Sequence, residues 1–215
     1  MLLDNWFLTC IGCNAIFEKD IPSFRCPKCG DLFELQKKRL PELKELYGSS
    51  GQGIWRFSSA LPIKQEKAVS LDEGGTPLLE ARNIKCGNLK IFFKVEGLNP
   101  TGSFKDRGMT VAISHALKRG TKLAICASTG NTSSSLAAYS ARAGIGSAVI
   151  VPANAVSAVK LVQASMHGAR IFKVRGNFDL ALKKVTDFAS KHGFYLVNSI
   201  NPYRIEGQKT VAYEI

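Results

Sequence analysis

The feature that most narrows the fold is a regular alternation of strand-like and helix-like patterns across residues 90–197. Short apolar runs at 90–95, 122–127, 147–151, 169–174 and 194–197 read as strands. Between them, 103–119, 131–143, 156–167 and 178–192 read as helices. About a dozen helical residues between strands suit right-handed crossovers, so the strands should form a parallel sheet. Gly120, Gly144, Gly168 and Gly193 stand just past the predicted helix ends, where a left-handed residue closes the last turn. His167 and His192 precede two of these glycines and suit the negative end of a helix dipole, which accounts for both without catalysis. His115, inside the first helix, reads as a surface or packing residue rather than a base.

The region upstream has a different logic. Cys10-x2-Cys13 and Cys26-x2-Cys29 are separated by twelve residues and read as two metal knuckles. Four thiolates close a tetrahedral structural site, with zinc expected and iron left open because it takes the same ligands. Gly12 and Gly30 stand where such turns need a small or left-handed residue. So short a piece lacks a core of its own, and 1–35 should be short strands stapled by the metal. A charged stretch follows, with Pro41 placed to begin a short helix, and then the glycine-rich residues 48–53. The boundary should fall between about 36 and 53. Cys126 lies in an apolar strand and reads as a small core residue, and Cys86 receives no role.

Composition excludes several classes. The 215 residues contain no apolar run near the ~20 needed for a membrane span, and the first ten residues lack a basic leader. The expected location is the cytoplasm, without membrane contact. The net charge of +12 is carried mainly by residues 61–215, scattered over predicted helices and loops rather than gathered in one stripe. A solvated basic surface that attracts small anions fits this better than a nucleic-acid interface. Neither dinucleotide nor P-loop glycine spacing is present, which argues against nicotinamide and ATP sites of the common types.

Two stretches carry chemistry. In Asn99-Pro-Thr-Gly-Ser-Phe-Lys-Asp-Arg-Gly-Met109, a turn leads to Ser103 as the expected helix N-cap, with Lys105 in the first turn. The positive end of the helix dipole, with Arg107 nearby, favours a neutral Lys105 amine, and Asp106 offsets part of that field. In Ser128-Thr-Gly-Asn-Thr132, a hydroxyl-rich turn between strand and helix either caps the helix or presents donors to an anion. Taken by itself, Arg204 reads as a surface ion pair with Glu206.

Together these motifs, with Asp72-Glu-Gly-Gly-Thr-Pro-Leu-Leu79 and Asn198-Ser-Ile-Asn-Pro-Tyr-Arg-Ile-Glu-Gly-Gln-Lys209, resemble the fold-type II pyridoxal-phosphate enzymes, and more narrowly the threonine synthases. The four-cysteine knuckle also occurs in some members of that group. The resemblance implies a parallel-sheet, three-layer αβα fold preceded by a zinc-ribbon-like segment. It implies a ribbon and linker over 1–45, the first part of a larger domain over 46–97, a smaller mobile domain over 98–205, and a return to the larger domain over 206–215. It further implies pyridoxal 5'-phosphate held covalently by Lys105, with Asn131 at the cofactor's 3-oxygen. Ser128, Thr129 and Thr132 would hold a substrate carboxylate, while Asn198, Ser199 and Arg204 would grip a substrate phosphate.

The implied reaction converts O-phosphohomoserine and water to threonine and phosphate. Family members continue well beyond residue 215, where the chain stops in what reads as a helix from Gly207 onward. The larger domain is therefore expected to be incomplete. Activity should then require further protein, as a homo-oligomer or as a second chain bearing the remainder. Competing readings are a threonine or serine dehydratase, a zinc-ribbon binding module, and an inactive remnant.

Overall fold

Alternating burial creates the first layer. In β1 (Trp6–Cys10), Trp6, Leu8 and Cys10 turn inward while Phe7 and Thr9 are only partly covered, the period of a strand with one face on a core. β1 pairs antiparallel with β2 (Ile16–Phe17) and β3 (Phe33–Lys37), giving the order β2-β1-β3. This is a computed structural model that describes residues 5–215 apart from 19, 22, 49, 85, 86 and 155–157. Cys86 and the expected helix start at residue 156 lie outside the described residues.

α1 (Leu43–Tyr47) begins close to Pro41, and Glu45 accepts the Glu42 N–H at 2.9 Å. Residues 53–60 form tight 3-10 turns that bury Ile54, Trp55 and Phe57. β4 (Leu78–Glu80) and β5 (Phe92–Lys94) then pair antiparallel as a separate two-stranded ribbon. The strand expected over 90–95 is therefore real but does not join the parallel sheet. Its Phe92 and Phe93 remain about half exposed, so the apolar run marks an uncovered ribbon rather than a core strand.

From α2 (Lys105–Lys118) onward the alternation holds. β6 (Leu123–Ala127), α3 (Asn131–Ala143), β7 (Gly146–Pro152), α4 (Ala158–Met166), β8 (Arg170–Val174), α5 (Phe178–His192), β9 (Tyr195–Leu196) and α6 (Pro202–Tyr213) follow. The four strands are parallel in the order β8-β7-β6-β9. Gly144 and Gly193 cap α3 and α5 with φ of 67° and 68°, as expected. α6 begins at Pro202, five residues before the expected Gly207. Asn201 caps it by accepting the Tyr203 N–H at 3.0 Å, and proline fits the first turn because no N–H is needed there.

The order of strands positions the site. The chain leaves β6 toward β7 and β8, then returns on the other side of β6 to form β9. With right-handed crossovers, that reversal puts α3 and α5 on opposite faces and opens a crevice beyond the carboxyl ends of β6 and β9. One apolar core runs from Trp6, Leu8 and Phe33 through Ile54 and Trp55 to Met109, Leu136, Val149 and Tyr203. The cysteine-bearing segment thus completes its core by sharing that of the α/β unit.

Candidate active site and metal centre

Two loops leave the carboxyl ends of β6 and β9, where ligands bind in open sheets of this kind. Residues 128–132 follow β6 directly, and Asn198 and Ser199 follow β9. Asn198 is buried, and both ends of its amide face Ala127: Oδ1 accepts the Ala127 N–H at 3.0 Å, and Nδ2 donates to the Ala127 carbonyl at 2.9 Å. Its side chain therefore pins the residue from which the 128–132 loop departs. Ser199 is exposed, and Ser128, Thr129, Asn131 and Thr132 are half-buried. Gly130, rather than Ser128 or Thr129, occupies the N-cap of α3, while Ser128 Oγ accepts the Gly130 N–H at 3.2 Å.

Lys105 starts α2. Phe104, not Ser103, holds the N-cap position, although Ser103 Oγ still accepts the Lys105 N–H at 3.3 Å. The turn before the lysine is fixed by Asp106, whose carboxylate takes the Thr101 N–H at 2.7 Å and the hydroxyls of Thr101 and Ser135 at 2.6 Å each. Burial pushes the Asp106 pKa up despite these bonds. Lys160 adds a donor to the Thr101 carbonyl at 2.9 Å. Ser135 lies one helical turn beyond Asn131, so this network ties α3 to the start of α2. Glu73 supports α3 from below: it is buried and accepts Tyr139 Oη at 2.6 Å and Trp55 Nε1 at 3.0 Å. The opening motif at residues 72–79 carried no physical role in the sequence, and this hub supplies one.

The Lys105 ammonium sits 3.8 Å from the centre of the Phe104 ring. Its pKa is lowered, first by burial and then by the charge of Arg204. Arg107 does not play the part expected of it. It is fully buried and held between two carboxylates, with bonds of 2.7 and 2.8 Å to Glu96 and of 2.7 and 2.8 Å to Glu214, which neutralise its field.

Arg204 is 3% exposed, so the surface ion pair with Glu206 does not form; Glu206 instead accepts Lys209 at 2.6 Å. Arg204 Nη1 donates to the Val197 carbonyl at 2.8 Å, and Nε has no partner. Among the described residues no carboxylate pairs with it, and burial draws its pKa down to about 10. A buried guanidinium without a counter-ion is costly, and an anion in the crevice would relieve that cost. α6 brings Arg204 to α2 because Gly108 and Gly207 face each other. A Cβ on Gly108 would lie 2.5 Å from the Arg204 carbonyl, and one on Gly207 would strike the Arg107 backbone.

His115 is neither a base nor a surface residue. Its ring is 0% exposed and stacks on Tyr203 with centroids 3.5 Å apart, and burial lowers its pKa to about 4. Cys126 is a core residue, as expected, with its thiol pushed up to about 12 by burial.

The four cysteines 10, 13, 26 and 29 bring their sulfurs within 4.8 Å of one another, as free thiols. Zinc–sulfur bonds of about 2.3 Å put tetrahedral sulfurs roughly 3.8 Å apart, and the Cys10–Cys29 and Cys13–Cys26 separations of 3.3 and 3.7 Å fit a closed four-thiolate site. Gly30 takes φ +80°, Asn14 takes φ 57° in the other knuckle, and Gly12 leaves room for Asp31. No helix among the described residues is long and apolar enough to cross a membrane.

The family described as "Pyridoxal-phosphate dependent enzyme" matches residues 69–215. The threonine synthase of Methanosarcina acetivorans is 44% identical over 98% of this chain and 53% of its own length. That of Methanocaldococcus jannaschii is 46% identical over 96% of this chain and 52% of its own. The chain thus spans about half the length of these curated relatives. Among solved structures, a pyridoxal 5'-phosphate-dependent aspartate racemase shares 32% identity at a TM-score of 0.58, covering 65% of this chain and 44% of that one. Diaminopropionate ammonia lyase of Escherichia coli, at 18% identity and a TM-score of 0.59 over 67% of this chain and 48% of its own, shows the same fold.

Proposed function

The chain belongs to the pyridoxal-phosphate-dependent enzymes of fold type II, and from that premise we propose that it carries the lysine and the phosphate-gripping side of a threonine synthase site. The observation that carries this reading is Arg204, a buried cation with a free Nε beside Lys105. A substrate that brings its own phosphate supplies the missing anion, and the planar guanidinium suits phosphate oxygens.

The residues present fit the cofactor. Lys105, half-buried with a lowered pKa, would hold pyridoxal 5'-phosphate, and Asn131 would face its 3-oxygen. When bound, the cofactor supplies an electron sink for charge at the substrate's Cα. Ser128, Thr129 and Thr132 hold the substrate carboxylate, and Asn198 keeps their loop in register through Ala127. Ser199 and Arg204 take the phosphate. The Lys105 amine would take the Cα proton and then one from Cβ as phosphate leaves Cγ. It would return one proton to Cγ, water would add at Cβ with its released proton balanced by phosphate, and the last proton would go back to Cα. A mobile unit over 98–205 would exclude water during these transfers. The four thiolates hold structural zinc in a cytoplasmic setting.

Titration calorimetry with O-phosphohomoserine and with inorganic phosphate tests the assignment. Both should bind, and Arg204→Ala should weaken both at least tenfold. Binding of threonine or serine that is unaffected by phosphate and by Arg204→Ala, with ammonia rather than phosphate released, would replace this reading with that of a dehydratase.

A further inference from the structure

The loop closed by the four cysteines reaches into the α/β unit at one side chain. Asp20 lies between Cys13 and Cys26 and is 10% exposed. Its Oδ2 accepts the Nε2–H of His115 at 3.0 Å and lies 3.6 Å from Arg119 Nε, while Oδ1 accepts the Tyr203 hydroxyl at 3.2 Å. His115 Nδ1 in turn accepts the Tyr195 hydroxyl at 2.7 Å. Burial alone would raise the Asp20 pKa, but the His115 hydrogen bond and the Arg119 charge outweigh it and hold the carboxyl below its usual range. One carboxylate therefore ties the cysteine loop to α2 through His115 and Arg119, to β9 through Tyr195, and to α6 through Tyr203.

Tyr203 precedes Arg204 in the first turn of α6, and its ring is fixed from both sides, by the stack on His115 and by the bond to Asp20. β2 contributes two paired residues, and an isolated bridge joins Arg25 to Leu32. Phe24 packs edge-on against Tyr195 with ring centroids 5.3 Å apart, and the cysteine pairs flank the loop at both ends. A metal on the four thiolates would close the loop that carries Asp20, whose partners His115 and Tyr203 lie in the α/β core.

We propose that Asp20 is a positioning residue through which the four-cysteine centre sets the start of α6 and hence the aim of Arg204. The inference rests on the reading of Arg204 as the phosphate-gripping residue, but the coupling itself is measurable without it.

Hydrogen exchange of the zinc-loaded chain is the test, read at the amides of residues 201–206 and at β6 and β7 as an internal reference. Stripping the metal with a chelator should speed exchange at 201–206 at least tenfold and leave the reference strands unchanged. Asp20→Ala with zinc bound should give the same acceleration, and chelation of that variant should add little, because the link is already cut. Asp20→Asn keeps the volume and should show a smaller effect of the same kind if the alanine variant folds poorly. Equal effects of chelation in wild type and both variants, or none in wild type, would overturn the proposal. Inorganic phosphate separates the two readings. Affinity that falls on chelation supports both, whereas no phosphate binding in the zinc-loaded chain removes the Arg204 assignment and leaves the exchange result to decide the coupling.

Discussion

Residues 5–37 and residues 105–213 bury apolar side chains in one continuous core, yet they depend on it differently. The first region has two-residue and five-residue strands, several inward side chains, and four thiols gathered at one point. The second has buried central strands and helices whose inward faces are complete, such as Leu136, Ala137 and Tyr139 on α3. The first region gathers four thiols at one point and completes its core only against the second, whereas the second stands on its own packing and buries cations of two kinds. Arg107 and Arg204 show both uses of a buried cation, one saturated by two carboxylates and one left open.

The largest effect should come from the metal. Structural zinc sites contribute on the order of 10 kcal/mol in small modules. Cys26→Ser should therefore abolish exchange protection in β1–β3 while β6 and β7 stay protected. Global unfolding of the sheet at the same chelator concentration would erase the distinction between the regions.

Next in size is Gly207→Ala, which forces a methyl into the Arg107 backbone where α2 and α6 cross. Overpacking there should cost about 3 kcal/mol in denaturant unfolding, with the cobalt-thiolate absorption of the metal-substituted protein unchanged.

The pH dependence follows in size. His115 has a pKa of about 4 in the fold, below its ordinary value, so the unfolded chain binds the extra proton first as pH falls. Its contribution is fully present above about pH 6.5 and is lost toward pH 4, worth about 2–3 kcal/mol over that window. Asp20, Arg119, Tyr195 and Tyr203 surround the ring. The Asp20 carboxyl is held below its usual range and burial raises both phenols, so these three stay out of the window. His115→Gln should flatten the stability profile between pH 6.5 and 4.5, and an unchanged slope would assign it to other groups.

Smallest is Arg204→Met. Removing an unpaired buried charge should move the unfolding free energy by no more than about 1 kcal/mol, while phosphate affinity falls at least tenfold. A large loss of stability would make Arg204 a structural cation, as Arg107 is between Glu96 and Glu214.

Much of this architecture is written in local pattern. Strand–helix alternation, the glycines after helices and the cysteine spacing each report a geometry that neighbouring residues determine. What the pattern misses is set by distant partners. The apolar run at 90–95 looks like a core strand until its pairing with β4 shows an uncovered ribbon. The cap at Asn201 and Pro202 was visible as residues, but Gly207 drew the expected helix start too far along. Arg107 and Arg204 look alike in sequence; Glu96 and Glu214 neutralise the first, and burial takes the second away from the expected surface pair. Asp20 gives no signal at all, because His115 and Tyr203 lie far along the chain from it. The residues of the candidate site were legible as motifs, whereas Asn198's grip on Ala127 was not.

The central claim is that Lys105 is the cofactor anchor, and trapping tests it most directly. The chain is incubated with pyridoxal 5'-phosphate, reduced with borohydride, digested and mapped by mass spectrometry. One dominant pyridoxyl adduct is expected on the Lys105 peptide, lost in Lys105→Ala. An adduct spread over exposed lysines such as Lys183 and Lys184, with Lys105 unmodified, would contradict it.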